Sequence, residues 1–137
     1  MIDDNIEALV KYRLEQADES LQAAEALIKE GLLASAVNRA YYAMFYSVLA
    51  LLALEKKETS KHSGAISLFD KDYVKTEMFP KELSKWLHEA FDLRQRSDYA
   101  ARYVPSGEEV KQIIGKAASF VARVSEKLEK TIKELDR

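Results

Sequence analysis

From Leu32 to Leu54 the chain reads LLASAVNRAYYAMFYSVLALLAL, with a single charged residue, Arg39. A helix apolar on nearly every face has to be wrapped by other helices or by lipid. The stretch is long enough to cross a bilayer, but Asn38, Arg39 and its serine and tyrosine hydroxyls would each need a polar partner there. The expected placement is therefore the centre of a helical bundle in a cytoplasmic protein. Burying a charge is costly unless it is paired or hydrogen-bonded, so Arg39 requires a partner. Tyr41, Tyr42, Phe45 and Tyr46 crowd the same turns.

The flanking sequence supplies the wrapping. Val10, Leu14, Ala17, Leu21, Ala24 and Ile28 recur at helical spacing and predict a helix over Asp4–Lys29, with Gly31 as its stop. The central helix is expected over Leu33–Lys56. Ser60 can cap a short helix over Lys61–Asp70, and 71–79 read as irregular. Pro80 suits the first turn of a helix over Lys81–Ala101, which Val104-Pro105 ends. Ser106 and Glu109 form a capping box, and Val110, Ile114, Ala117, Val121, Val124 and Leu128 carry the last helix to Leu135. Glu126–Lys130 and Glu129–Lys133 are spaced as surface pairs. The pattern is that of one all-α domain over residues 1–137. Its architecture is an antiparallel, up-and-down four-helix bundle with a short extra helix after the second long one.

Charge and composition exclude several functions. The 137 residues hold no cysteine, which removes disulfides, thiolate metal sites and cysteine nucleophiles. His62 and His88 are the only histidines, and no carboxylate cluster has ligand spacing, so neither a metal nor another cofactor is expected. The net charge of −2 hides a gradient: residues 1–31 carry 8 acids and 3 bases, and the rest 15 acids and 18 bases. Helix one is an acidic outer surface, and no basic stripe suggests sequence-specific DNA binding.

Two constellations carry candidate chemistry. On the central helix, Arg39, Tyr42 and Tyr46 share one face, while Tyr41, Phe45, Val48 and Leu52 occupy another. On the helix that follows, Arg94 and Asp98 are spaced to pair, and Arg94, Arg96 and Arg102 fall within nine residues beside Tyr99 and Tyr103. Guanidinium groups fork onto phosphate, but arginines near a helix C-terminus also neutralise its dipole. His88 lies six residues before Arg94, about 240° away around the helix, and reads as structural or exposed.

The segments N-R-A-Y-Y-A-M-F-Y (38–46), S-K-H-S (60–63) and L-R-Q-R-S-D-Y (93–99), in this order, resemble the HEPN domain family from about Asp4 to Leu128. The resemblance implies a four-helix bundle that dimerises, with a site near the dimer axis between the second and fourth helices. Many members are metal-independent endoribonucleases and toxins using arginine, four to six residues, then histidine. Others bind nucleotide or partner a minimal nucleotidyltransferase. Here Arg94 is followed at those spacings by Tyr99, Ala100 and Ala101, and from Arg96 by Ala101, Arg102 and Tyr103. Tyrosine, with a pKa near 10, is a poor base at neutral pH, whereas histidine near 6.5 is a good one.

Three readings stand on these residues. In the first, Arg39, Arg94 and Arg96 contact the phosphate of a nucleotide or RNA. Asp98 then orients an arginine, and Tyr42, Tyr46 and Tyr99 stack or hydrogen-bond. In this reading the protein works with a minimal nucleotidyltransferase, as a toxin–antitoxin module. In the second it is an endoribonuclease with His62 as displaced base and Arg94 steadying charge; His62 matches a lysine–histidine pair found in this branch of the family. In the third it is a structural dimerisation module without ligand.

Overall fold

The Asp3 carboxylate accepts the backbone N–H of Asn5 at 2.7 Å and of Ile6 at 3.4 Å, and so opens the first helix. In this computed structural model, which describes residues 2–59, 61–99 and 103–136, that helix is α1, Asp4–Lys29. It is followed by α2 (Leu33–Leu54), α3 (His62–Phe69), a π-helical turn (Asp70–Val74), α4 (Lys81–Tyr99) and α5 (Gly107–Leu135). No strand occurs among the described residues, and the fold is all-α as the periodicity predicts.

Gly31, at φ +75°, makes the left-handed turn that ends α1 and sends α2 back along it. The capping box forms: Glu109 N–H donates to Ser106 Oγ at 3.1 Å, and Ser106 N–H to Glu109 Oε1 at 3.2 Å. Other expectations shift. Helix α2 ends at Leu54 instead of Lys56, because Lys56 adopts φ +57°, which a right-handed helix cannot accommodate. Residues 70–74 are a π-helical turn rather than irregular chain, and its buried Tyr73 donates to the Leu51 carbonyl at 3.3 Å. The Glu126–Lys130 and Glu129–Lys133 ion pairs do not form among the described residues; long exposed side chains gain too little from pairing in water. The Ser60 cap, the expected end of α4 at Ala101, and Arg102 lie outside the described residues.

Helix α2 touches α1, α3, α4 and α5. It is long and apolar enough to cross a membrane, yet 56% of its most apolar window is buried inside the bundle. That hydrophobicity is used by the core, where Tyr41, Met44, Val48 and Leu52 meet Phe69, Leu83, Leu87 and Phe120. One face of α2 is covered only halfway, and it is there that the polar residues gather.

Candidate functional site

Asn38, near the start of α2, donates from Nδ2 to Asp98 Oδ2 at 3.2 Å, near the end of α4. This contact joins the start of α2 to the end of α4, and Arg94, one turn before Asp98, lies against α2. Arg94 is the most enclosed charge of the described residues, 9% exposed. Its guanidinium carbon lies 5.3 Å from the ring centres of both Tyr41 and Tyr42, and 6.0 Å from that of Tyr99. Aromatic faces attract a desolvated cation, which offsets part of the burial cost.

The hydrogen bonds to Arg94 are poor. Nε stands 3.3 Å from Asp98 Oδ2 but off the direction a hydrogen bond needs, and it has no other partner among the described residues. Nη2 reaches the Tyr99 hydroxyl at 3.5 Å, the outer limit of such a bond. Ser97 Oγ is likewise buried without a partner among the described residues. A buried guanidinium held by ring faces and one imperfect ion pair keeps donor capacity for an incoming acceptor.

Arg39 departs from its expected role. It is half-buried at the rim of the bundle, and its partner is the adjacent Asn38, whose Oδ1 accepts from Nε at 3.1 Å and Nη2 at 2.9 Å. Its guanidinium also lies 4.8 Å over the Tyr42 ring. Arg39, Asn38, Asp98 and Arg94 therefore form one chain of contacts. A shallow hollow of about 290 Å³ opens beside Asn38, Arg39 and Asp98.

His62, the first residue of α3, joins from the other side. Its Nδ1 is 2.8 Å from the hydroxyl of the fully buried Tyr41, and its ring stacks on Phe45 with 4.3 Å between centroids. Burial holds the His62 pKa below the usual imidazole value, and the nearby Arg94 charge lowers it further. Burial pushes the Tyr41 phenol well above its ordinary value, so Tyr41 stays protonated in the physiological range.

The structure brings together Arg94, Asp98, Tyr42, Tyr99 and His62, with Arg39 linked through Asn38 and Tyr42. Tyr46 lies at the edge of this group, 5.7 Å from Tyr42 between ring centres, and shares a second hollow against α1 with Arg39, Gln16 and Glu19. Arg96 does not join it. Two residues from Arg94, it faces α5, its guanidinium 5.1 Å over the Tyr103 ring. His88 is exposed, and its Nε2 lies 2.7 Å from Asp70 Oδ2. Sequence reasoning did not count Asn38, which bridges Arg39 to Asp98, as a site residue, and it set Tyr41 on a different face of the helix from Arg39 and Tyr42. Asn38 is the one amide on the apolar helix, a signal that was available. Nothing local marks Tyr41 as the histidine's partner. No group of histidines and carboxylates suited to a metal occurs among the described residues.

A helical bundle with an arginine enclosed between its second and fourth helices, and a histidine from the short helix between them, defines a recognisable class. The HEPN domain model matches residues 10–133, and the chain belongs to the HEPN family. A "UPF0332 protein" from Thermotoga maritima is 40% identical over 131 residues, 96% of each chain. Two Methanocaldococcus jannaschii proteins also match. "Putative toxin MJ0142" is 36% identical over 84% of this chain and 78% of its own. "Putative toxin MJ0605" is 31% identical over 96% and 98% respectively.

Proposed function

We propose that this is a toxin-like HEPN protein whose α2–α4 site holds a phosphate of a nucleotide or RNA. We further propose that it acts in the cytoplasm, as a homodimer, with a minimal nucleotidyltransferase partner. The observation that carries this reading is the enclosed Arg94 guanidinium, ringed by Tyr41, Tyr42 and Tyr99 and incompletely hydrogen-bonded. A phosphate oxygen offers the charge-assisted acceptor that Asp98 supplies poorly. Arg39 lies one contact away for a second phosphate, and Tyr42 and Tyr99 offer ring faces to a base. The negative end of the α4 dipole opposes an anion there, but by about 0.3–1 kcal/mol, less than one charge-assisted hydrogen bond contributes. Family membership and the names of the two archaeal relatives support the toxin-like role. Isothermal titration with ATP, AMP and a short RNA is expected to show binding that Arg94→Met weakens about thirtyfold. Gel filtration with the product of the neighbouring gene tests the partner. No binding in either experiment refutes the reading.

A second reading rests on the Tyr41–His62 contact at 2.8 Å. In the tautomer whose Nδ1–H donates to the Tyr41 oxygen, Nε2 is left unprotonated and serves as the base. A neutral imidazole beside a fixed arginine is the pairing that metal-free RNA cleavage needs. His62 takes the 2′-OH proton as O2′ bonds to phosphorus and the bond to the 5′ oxygen breaks; the departing 5′ oxygen takes a proton from water, and the hydroxide so formed takes back the His62 proton. The products are a 2′,3′-cyclic phosphate and a 5′-OH, with Arg94 steadying the phosphoryl oxygens. RNA cleaved in EDTA by the wild type, and left intact by His62→Asn and Arg94→Met, is the expected result. Intact RNA with the wild type rules this second reading out.

A further inference from the structure

The half-covered face of α2 does not stop at the site. Asn38, Tyr42, Phe45, Leu49 and Ala53 are all partly exposed and follow one another by fours and threes, so they form one stripe along the helix. From Asn38 to Ala53 the stripe runs about 22 Å at the rise of an α-helix. It begins at Arg94 and His62 and ends in a groove of about 860 Å³ between α1, α2 and the chain entering α3. Leu9, Leu49 and Ala53 are among its apolar lining residues, and Arg13, Lys56 and Lys61 among its basic ones.

The charge of this groove runs against that of the chain. Glu58 is its only acidic lining residue. A fourth cation, Lys57, is taken up by Asp72 at 2.7 Å and Glu55 at 3.2 Å, whereas Lys56 and Lys61 make no ion pair among the described residues. Lys61 directly precedes His62, so the basic lining and the candidate site share an edge. Half-covered ring and aliphatic faces followed by free cations suit a strand carrying bases on one side and phosphates on the other. An acidic protein segment would fit the groove alone, but would leave unexplained why the stripe is continuous with the Arg94 site.

We infer that the α2 stripe and the α1–α2 groove form a track for single-stranded RNA, with one phosphate at Arg94 and the flanking phosphates at Lys61, Lys56 and Arg13. This rests on the phosphate reading of Arg94 and deepens it: the ligand is a strand of about four or more nucleotides rather than a mononucleotide. The test uses fluorescence anisotropy with a fluorescein-labelled 2′-O-methyl oligouridine 12-mer, which resists cleavage through its 2′ oxygen, and competition by the 2′-O-methyl dinucleotide. For Lys56→Glu/Lys61→Glu, 12-mer affinity at 0.1 M salt is expected to fall about tenfold or more. The salt slope should shrink by about 1.4, two phosphates at 0.7 each. Dinucleotide affinity stays within twofold, and circular dichroism melting confirms that the variant folds. Arg94→Met weakens binding of both ligands by about thirtyfold. If Arg94→Met changes neither, the phosphate reading itself fails. If Arg94→Met weakens both but the double lysine variant keeps full 12-mer affinity, the track alone is overturned. The track is also overturned if the lysine variant only alters the protein's mass in light scattering, which assigns the groove to a protein contact.

Discussion

Replacing Arg94 with methionine separates a ligand-binding arginine from a structural tie. Methionine keeps an unbranched apolar stem between α2 and α4 and removes only the charged head. The ion pair to Asp98 is lost, but that carboxylate side chain is 23% exposed and water can take over, so the cost is about 1 kcal/mol or less. Losing the attraction to the Tyr41 and Tyr42 faces costs about 1–2 kcal/mol for each ring. Against this, a cation 9% exposed no longer has to be desolvated, a penalty of several kcal/mol in proteins. The terms nearly cancel, and the expected change in stability is within about 1 kcal/mol, a Tm shift of about 3 °C or less for a domain of this size. Binding behaves otherwise. One charge-assisted hydrogen bond to phosphate contributes about 2 kcal/mol, so affinity for an oligonucleotide should fall about thirtyfold. Differential scanning calorimetry and anisotropy on the same sample measure both. A Tm lowered by about 10 °C or more with affinity per folded molecule unchanged would refute the reasoning, because it is the signature of a buried tie.

Three further outcomes follow from the same geometry. The His62 pKa lies below the ordinary imidazole value of 6.5, so the unfolded chain binds this proton more readily than the native one. Its contribution to stability is therefore present above about pH 6.5 and shrinks as the pH falls below it. An NMR titration should place the His62 midpoint below 6.5 and move it upward in Arg94→Met; a midpoint unmoved by that substitution argues against the proximity of the two charges. Tyr41→Phe keeps the ring under Arg94 and deletes the hydroxyl 2.8 Å from His62, costing about 1 kcal/mol, or about 3 °C in Tm. If His62 is the base, RNA cleavage should also fall more than this stability loss explains, and an unchanged rate removes Tyr41 from the mechanism. Ser106→Ala takes one side from the α5 capping box and should cost about 1 kcal/mol in thermal melts while leaving 12-mer affinity intact. A simultaneous loss of affinity would show that the Arg94 site is not independent of the start of α5.

The helices were largely legible because their signals are local. Val110, Ile114, Ala117, Val121, Val124 and Leu128 recur on one face of α5 and are all buried, and Gly31 stops α1 where its φ of +75° permits. Boundaries were less legible where tertiary contacts compete. The π-helical turn at Asp70–Val74 carries Tyr73, anchored to the Leu51 carbonyl, and a hydrogen bond to another helix leaves no trace in the periodicity of its own segment.

The site divides in the same way. From the sequence came the candidate residues: Arg94 with Asp98 one turn on, the tyrosines around Arg39, and the lack of a histidine after Arg94. Composition alone marked Arg39 as the costly charge, since it stands in the most apolar segment. The fold moved that burden to Arg94, whose own segment is polar but whose face of α4 packs on α2, and left Arg39 at the rim beside Asn38. It also set His62 against Tyr41, 21 residues away in the chain, and separated Arg96 from Arg94 by half a turn of helix. Periodicity is a property of one helix at a time, so the sequence determined which faces exist. Burial, pairing and field depend on which faces meet, and only the packed bundle decided those.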